Sequence, residues 1–149
     1  MKRCPFADTV LYDDLLAASC LVEPCGSRVT CNPAPTDTDE DYLVEMPSGR
    51  EDSVSRIVSL LAEAGFRWEG TEHYQMAANE FMSWRRDDIN LIVTANSDFA
   101  RRHRAATHVC KRLNLMVKDD RIALFQAVLY GDIAKQECAQ PPSFDELLV

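Results

Sequence analysis

Two aspartates and a glycine-serine pair are the residues of this chain whose types and spacing could do chemistry. Asp39 and Asp41 are separated by one residue, so on a β-strand both carboxylates project from the same face and can share one divalent cation. Gly26 and Ser27 come before them, with 12 positions from Ser27 to Asp39. Glycine lets the backbone approach a ligand closely, and the serine hydroxyl can bond an anionic oxygen. The pattern predicts a phosphate-holding turn followed by a metal-binding strand.

The segments that flank these residues are apolar and favour β-strands. Residues 20–22 lead into the glycine turn, and residues 42–44 follow the second aspartate directly. Their tyrosine and valine side chains are of types enriched in strands. The alternative is that the acidic run of residues 37–41 is a solvated surface loop, which is the usual role of such a run. The direct passage from acidic to apolar residues favours the strand.

The order of these motifs, Gly26 and Ser27 followed by Asp39-x-Asp41, resembles the signature of the DNA polymerase beta-like nucleotidyltransferase superfamily. The chain resembles the minimal form of that superfamily and is similar to small bacteriophage-encoded nucleotidyltransferase-like proteins. The resemblance covers about the first two thirds of the chain. It implies an α+β fold, with a small mixed or antiparallel sheet flanked by helices. It also implies that Asp39 and Asp41 are catalytic and hold Mg²⁺ or Mn²⁺, while Gly26, Ser27 and Arg28 bind an NTP such as ATP.

A third carboxylate is expected on a later strand, because the resembling superfamily carries one inside a hydrophobic-acid-hydrophobic triplet. The matching triplet here is Ile89-Asn90-Leu91. Asn90 offers a neutral oxygen to a nucleotide or a cation but cannot take a proton from an attacking hydroxyl. Asp88 lies two residues earlier on the same strand face and could serve as the catalytic carboxylate if the strand is shifted or the turn folds inward. The alternative for Asp88 is an ordinary hairpin-turn aspartate.

The elements that must position these residues follow from apolar spacing and turn residues. The predicted helices span residues 7–19, 51–64, 97–113 and 119–130. The predicted strands are a segment from residue 21, residues 39–44 and 66–68, and a hairpin of 81–86 with 89–94. Ser97 or Asp98 is the expected N-cap of the third helix, and Gly65 and Gly131 are the expected ends of the second and fourth.

These elements indicate one domain over residues 1–135, and the resemblance implies that it is nucleotidyltransferase-like. Its core covers residues 7–96, and the two helices within 97–131 are expected to form a hairpin beside the sheet. Residues 136–149 contain two consecutive prolines and are expected to form an extended tail.

The helix predicted over residues 97–113 is the cationic part of the chain. Its arginine and lysine side chains are Arg101, Arg102, Arg104, Lys111 and Arg112. Arginines near its start, Arg101 in particular, are expected to contact the triphosphate or a polynucleotide acceptor, since guanidinium matches phosphate oxygens. The alternative is a solvated helix face. Lys118 and Arg121, at the start of the next helix, are further candidates for phosphate contacts.

Composition limits the classes of partner. The chain has 149 residues, of which 46% are hydrophobic, and this is enough for one compact domain with a core. A formal net charge of −8 argues against broad nonspecific attraction to nucleic acid. No segment has the apolar length of a signal peptide or a membrane span, so we expect a cytoplasmic protein with no membrane partner, in the host cytoplasm if a phage encodes it.

Three functions remain open at this point. The first is a metal-dependent nucleotidyltransferase that moves an NMP from an NTP to RNA, a protein or a small molecule. The second is a catalytically impaired module of the same fold that binds a nucleotide or a host protein, which Asn90 favours. The third is a structural α/β protein without a ligand. The small size also leaves room for a homodimer that covers an open sheet edge.

Overall fold

A five-stranded mixed sheet forms the centre of the molecule. The structure is a computed structural model that describes residues 4–36, 38–47, 51–70 and 81–137. The strands are β1 (Leu21–Cys25), β2 (Glu40–Glu45), β3 (Arg67–Gly70), β4 (Met82–Arg86) and β5 (Ile89–Thr94). The helices are α1 (Val10–Ala17), α2 (Ser27–Thr30), α3 (Glu51–Glu63), α4 (Ser97–Leu113) and α5 (Lys118–Glu137). The predicted α+β class, with its sheet flanked by helices and its C-terminal helical hairpin, is confirmed.

The strand order is β1-β2-β5-β4-β3, and one of its pairings joins distant parts of the chain. β2 pairs with β5 in parallel, whereas β1 with β2, β4 with β5 and β3 with β4 are antiparallel. In this register Asp41 lies between Cys25 of β1 and Asn90 of β5. Side chains of directly paired residues share one face of a sheet. The parallel pairing therefore brings the predicted metal-binding strand beside the strand that carries Asn90.

Two apolar cores lie on opposite faces of the sheet, as the alternation of side chains along each strand requires. The first core packs α1 and α3 against the sheet through Leu11, Leu15, Ile57, Leu61, Val44, Leu91 and Val93. The second packs α4 and α5 against the other face through Leu43, Ile92, Phe99, Ala106, Cys110, Phe125 and Leu129. Asp41 and Asn90 lie on the second face, so α4 and α5 supply the wall in front of them.

Ion pairs fix α4 on that face. Arg104 Nε lies 2.7 Å from Glu23 Oε2 of β1, and Arg104 Nη2 also pairs with Glu45 of β2. The predicted N-cap of α4, Ser97 or Asp98, is wrong by one or two residues: the Asn96 side chain accepts hydrogen bonds from the backbone N–H groups of Asp98 and Phe99, each at 3.0 Å. Asparagine caps a helix as well as serine or aspartate does, and Asn96 directly precedes the first helical residue.

α5 continues through Gly131 to Glu137, so the predicted end of this helix at Gly131 is wrong. A glycine within a helix costs about 1 kcal/mol relative to alanine, which does not by itself end a helix with a packed apolar side. The predicted extended tail lies outside the described residues from position 138 onward. Within the described residues, no helix combines the length and apolar character needed to cross a bilayer.

Candidate functional site

The turn after β1 requires glycine. Gly26 has φ 76° and ψ −172°, a conformation that other residues rarely adopt, and α2 begins at the next residue. A β-carbon at Gly26 would lie 2.1 Å from Asp41 Oδ2, which is far inside van der Waals contact. The backbone of the predicted phosphate turn is therefore packed directly on the predicted metal-binding carboxylate.

Asp41 is held from the other side by Asn90. Asn90 Nδ2 donates a hydrogen bond to Asp41 Oδ1 at 3.2 Å, and Ser83 Oγ donates to Asn90 Oδ1 at 3.0 Å. The amide nitrogen of Asn90, and not its oxygen, faces the carboxylate. Because a serine hydroxyl both donates and accepts, a half-turn of the Asn90 amide would keep the bond to Ser83 and present the oxygen instead.

Burial makes Asp41 an unusual acid. It raises the pKa of Asp41 from 3.8 to about 6, with a smaller rise from the charge of Asp39, while the hydrogen bond from Asn90 and the charges of Arg85 and Arg28 lower it in part. Desolvation disfavours the charged form of a carboxyl group. Near neutral pH the carboxylate is thus ionised in a poorly solvated position beside a second carboxylate, and a bound cation would relieve both effects.

Asp39 lies just before β2 and is paired with an arginine. Arg85 Nη1 of β4 is 2.9 Å from Asp39 Oδ2, and Arg85 Nε is 3.0 Å from Glu69 Oε2 of β3. The Asp39 side chain is 46% exposed, so this ion pair is partly screened by solvent. A metal ion on Asp39 would compete with the Arg85 guanidinium for the same oxygen.

The turn and the two carboxylates open onto one cleft of about 350 Å³. Its strand and turn side is lined by Cys25, Gly26, Ser27, Thr30, Thr38, Asp39 and Asp41, and its helical side by His103, Lys118, Arg121, Ile122 and Phe125. Lys118 is exposed, and Arg121 Nη1 is held by the carbonyl oxygen of Leu115 at 2.9 Å. The cleft thus combines hydroxyl groups, two carboxylates and two cationic side chains with a partly apolar wall.

Arg28 and Asp88 do not line this cleft. Both line a separate recess of about 310 Å³ with Thr36 and Glu40. Arg28 Nη2 donates to the carbonyl of Thr38 and lies 3.8 Å from Asp88 Oδ2. Asp88 belongs to the two-residue turn between β4 and β5, where its backbone oxygen accepts from the N–H of Glu40 at 2.7 Å. The structure brings Gly26, Ser27, Asp39, Asp41 and Asn90 together but leaves Asp88 in the turn.

Arg101 is likewise outside the cleft. Its side chain is 74% exposed, and its Nη2 pairs with Asp98 Oδ1 at 2.5 Å within the first turns of α4. Lys118 and Arg121 of α5 supply the cations of the cleft instead.

His103 lines the cleft and was not predicted as a site residue. It is 2% exposed, and its neighbours on the buried side of α4 recur at helical spacing as Phe99, His103, Ala106 and Cys110. This spacing is visible in the sequence and predicts that His103 faces inward while Arg101 faces outward, since residues two apart on a helix are separated by about 200°.

The donor set fits a divalent cation that prefers oxygen ligands. Two carboxylates and one amide that can present its oxygen are ligands suited to Mg²⁺ or Mn²⁺. Among the described residues no group of three or more histidine, cysteine, aspartate or glutamate side chains is arranged to hold a metal. Burial, with the charges of Asp41 and Glu23, raises the pKa of Cys25 well above its usual value, so this thiol stays protonated and is a poor ligand.

Comparison with known proteins supports the fold. No family model matches the chain, and no curated protein matches it. The crystal structure of the conserved protein GrpB from Enterococcus faecalis is similar, with a TM-score of 0.50 and 19% identity, over 91% of this chain and 76% of that one. At this identity the likeness shows the fold alone, an α+β arrangement with a mixed sheet flanked by helices.

Proposed function

We propose that this protein is a metal-dependent nucleotidyltransferase that moves an NMP from an NTP to an acceptor. One observation carries the proposal: the Gly26 and Ser27 turn and the carboxylates of Asp39 and Asp41 line a single cleft. A glycine-serine turn by itself, or a pair of acids by itself, also occurs in proteins that bind no nucleotide. Their packing contact, in which Gly26 leaves no room for a β-carbon beside Asp41, supports one site that binds both a phosphate and its cation.

The phosphates are bound by groups on both sides of the cleft. The Gly26 backbone can approach a phosphate oxygen closely, and the Ser27 hydroxyl can donate to one. Lys118 and Arg121 reach the same cleft from α5 and provide positive charge. Charge-assisted hydrogen bonds to phosphate are shorter and stronger than neutral ones, so these two side chains are expected to dominate the affinity for the triphosphate.

Asp39 and Asp41 would hold the Mg²⁺ or Mn²⁺, with Asn90 adding its amide oxygen after a half-turn. A divalent cation, when bound, supplies neutralisation of the phosphate charge and alignment of the α-phosphorus for in-line attack. Asp41 must give up any proton before it becomes a ligand. Its pKa of about 6 makes metal binding weaker in mild acid than at pH 7.5.

Neither of the two residues considered for the third carboxylate helps the acceptor hydroxyl to lose its proton. Asn90 has no titratable group, and Asp88 lines the recess beside Arg28 instead of the cleft. We therefore expect slow transfer and a preference for acceptors that ionise readily. RNA, a protein and a small molecule all remain acceptors within this proposal, acting in the cytoplasm.

A second candidate, a nucleotide- or host-protein-binding module without turnover, is favoured by two contacts. The Asn90 amide nitrogen faces Asp41 at 3.2 Å, and the Arg85 guanidinium lies against Asp39 at 2.9 Å. Both contacts neutralise or cover the carboxylates in the absence of a metal.

Incubation with each α-labelled NTP, Mg²⁺ or Mn²⁺ and a bacterial lysate tests the proposal. The resemblance to bacteriophage proteins makes a bacterial lysate the natural source of acceptors. Label transferred by the wild type, and not by the Asp39→Ala, Asp41→Ala double variant, would support transfer and identify the nucleotide. Nucleotide binding without label would favour the binding module. The absence of both nucleotide binding and label would refute the transferase and the nucleotide-binding form of the module.

Asn90→Asp tests whether the missing third acid limits transfer. A carboxylate at position 90 restores the third acid, and the Ser83 hydroxyl can donate to it as it now donates to the amide. If the fold retains catalytic geometry, the variant should transfer label faster than the wild type. Asp88→Asn is the matched control, because Asp88 does not line the cleft, and it should leave the rate unchanged.

A further inference from the structure

A second cavity lies beside the cleft and shares a wall with it. This cavity has a volume of about 210 Å³, and both Cys25 and His103 line it as well as the cleft. The Cys25 thiol is held protonated by burial and is a weak hydrogen-bonding group. His103 is therefore the polar side chain common to the two spaces.

His103 is buried without polar compensation. Its side chain is 2% exposed, and in the part of the chain that the structure describes neither ring nitrogen has a hydrogen-bond partner. The ring is fixed by aromatic neighbours, with centroids 5.9 Å from Phe99 and 5.0 Å from Phe125 in an edge-on arrangement. A buried polar group that stays unpaired costs free energy, and such groups are rare in native proteins.

The imidazole is neutral under physiological conditions. Burial, and to a lesser extent the charge of Arg104, lowers the pKa of His103 from 6.5 to about 4. A neutral imidazole offers one N–H donor and one nitrogen acceptor, and it has no net charge with which to attract phosphate. Lys118 and Arg121 already supply the cationic groups of the cleft.

We infer that His103 binds an uncharged polar group of the nucleoside, either a ribose hydroxyl or a base edge, when an NTP occupies the cleft. The inference rests on the proposed function. Phe125 and Ile122 line the same side of the cleft and provide an apolar surface for a sugar or base, while the proposed phosphate-binding residues Ser27, Lys118 and Arg121 also line the cleft. His103 is thus a specificity-determining residue for the nucleoside.

The test compares binding of each Mg-NTP with binding of Mg-tripolyphosphate, which has no nucleoside. His103→Leu should weaken NTP binding by about 3- to 10-fold, which corresponds to the loss of one neutral hydrogen bond, and should leave tripolyphosphate binding unchanged. His103→Gln, which retains a donor and an acceptor, should recover part of the loss. His108→Leu is the matched control, since His108 is exposed on the same helix and does not line the cleft, and it should bind as the wild type does.

A second measurement needs no variant. In ¹⁵N-labelled wild type, the chemical shifts of the His103 ring nitrogens should change on addition of the NTP but not on addition of tripolyphosphate. A purely structural histidine would not respond in this selective way. Shifts with neither ligand, or equal losses for both ligands in His103→Leu, would overturn the inference. Failure of the wild type to bind any Mg-NTP would refute the proposed function itself and the inference with it, whereas intact NTP binding in His103→Leu would refute the inference alone.

A comparison of NTP with dNTP binding distinguishes a ribose hydroxyl from a base edge as the partner of His103. If a ribose hydroxyl is the partner, the wild type should prefer NTP over dNTP and His103→Leu should lose that preference. If a base edge is the partner, the variant should instead lose discrimination among the four bases.

Discussion

Gly26 and Asp41 are in such close contact that a β-carbon at position 26 would lie 2.1 Å from Asp41 Oδ2 and 2.8 Å from Asp41 Cγ. The two residues belong to different motifs in the sequence and to one packing contact in the fold. Gly26 also has a positive φ of 76°, so its conformation and its contact both exclude a larger residue. The turn and the carboxylate cannot be altered independently.

Gly26→Ala is therefore expected to destabilise the metal-free protein by about 2–4 kcal/mol, the sum of a left-handed conformation and an overpacked contact. Urea unfolding measures the change. Gly131→Ala is the control: it lies within α5, no described atom lies within 4 Å of an added β-carbon, and the variant should be more stable by up to about 1 kcal/mol. An unchanged urea midpoint for Gly26→Ala would mean that Asp41 moves aside without cost.

Asp41→Asn should stabilise the metal-free protein above pH 6. The folded state raises the pKa of Asp41 from 3.8 to about 6, so the folded protein binds this proton more tightly than the unfolded chain. The resulting stability is fully present below pH 3.8 and is lost as the pH rises through 6. At pH 7.5 the variant should exceed the wild type by about 2–3 kcal/mol, and at pH 4 the difference should nearly vanish.

Urea unfolding in EDTA at both pH values measures this difference. Addition of Mg²⁺ at pH 7.5 should then stabilise the wild type more than the variant, because only the wild type keeps both carboxylate ligands. Equal stability of the two proteins at pH 7.5 in EDTA would contradict the raised pKa.

Arg85→Gln should tighten binding of Mn²⁺. The Arg85 guanidinium pairs with Asp39 at 2.9 Å and must be displaced before a metal takes that oxygen. A partly exposed pair is worth at most about 1 kcal/mol, which predicts a gain of up to about 5-fold in affinity. The loss of the free Mn²⁺ signal in electron paramagnetic resonance gives the affinity. Arg101→Gln removes an equal charge away from the cleft and should have little effect; weaker binding by Arg85→Gln would show that Arg85 supports the site.

Lys118→Gln should weaken binding of Mg-ATP by about 5- to 10-fold, since it removes a charge-assisted contact to phosphate that the solvent exposure of Lys118 weakens. Isothermal titration calorimetry measures the affinity. Arg101→Gln again serves as the control, because the Arg101 side chain is 74% exposed and paired with Asp98. A larger loss in Arg101→Gln than in Lys118→Gln would restore the assignment of Arg101 that the sequence suggested.

Local signals in the sequence were enough for most elements. Gly65 ends α3 with φ 85°, and Asp87 takes φ 53° in the predicted hairpin turn, so the residue types matched the backbone that each turn needs. Thr9 caps α1 by accepting the N–H of Tyr12 at 3.3 Å, which is a common role of a threonine before a helix. These features depend on a few neighbouring residues and are therefore readable from spacing.

The cationic side chains that α5 contributes to the cleft were not readable in this way. Whether Lys118 and Arg121 face the carboxylates depends on how α5 packs on α4 and the sheet, which is a tertiary property. The rotation of α4 did have a signal, since the apolar spacing that includes Phe99 and Cys110 places His103 inward. The hydrogen bond from Asn90 to Asp41 depends on the β2 and β5 register, which no local pattern specifies.

The parallel pairing of β2 with β5 also sets when the cleft can exist during synthesis of the chain. Asp41 and its partner Asn90 are 49 residues apart, and α3, β3 and β4 are made between them. Such long-range pairing pays a loop-closure cost before it gains any contact, so it forms late. As the chain leaves the ribosome, β1 and β2 can pair early, but β2 cannot pair with β5 until β5 has been synthesised. A nascent chain that ends before β5 therefore carries both sequence motifs and no cleft.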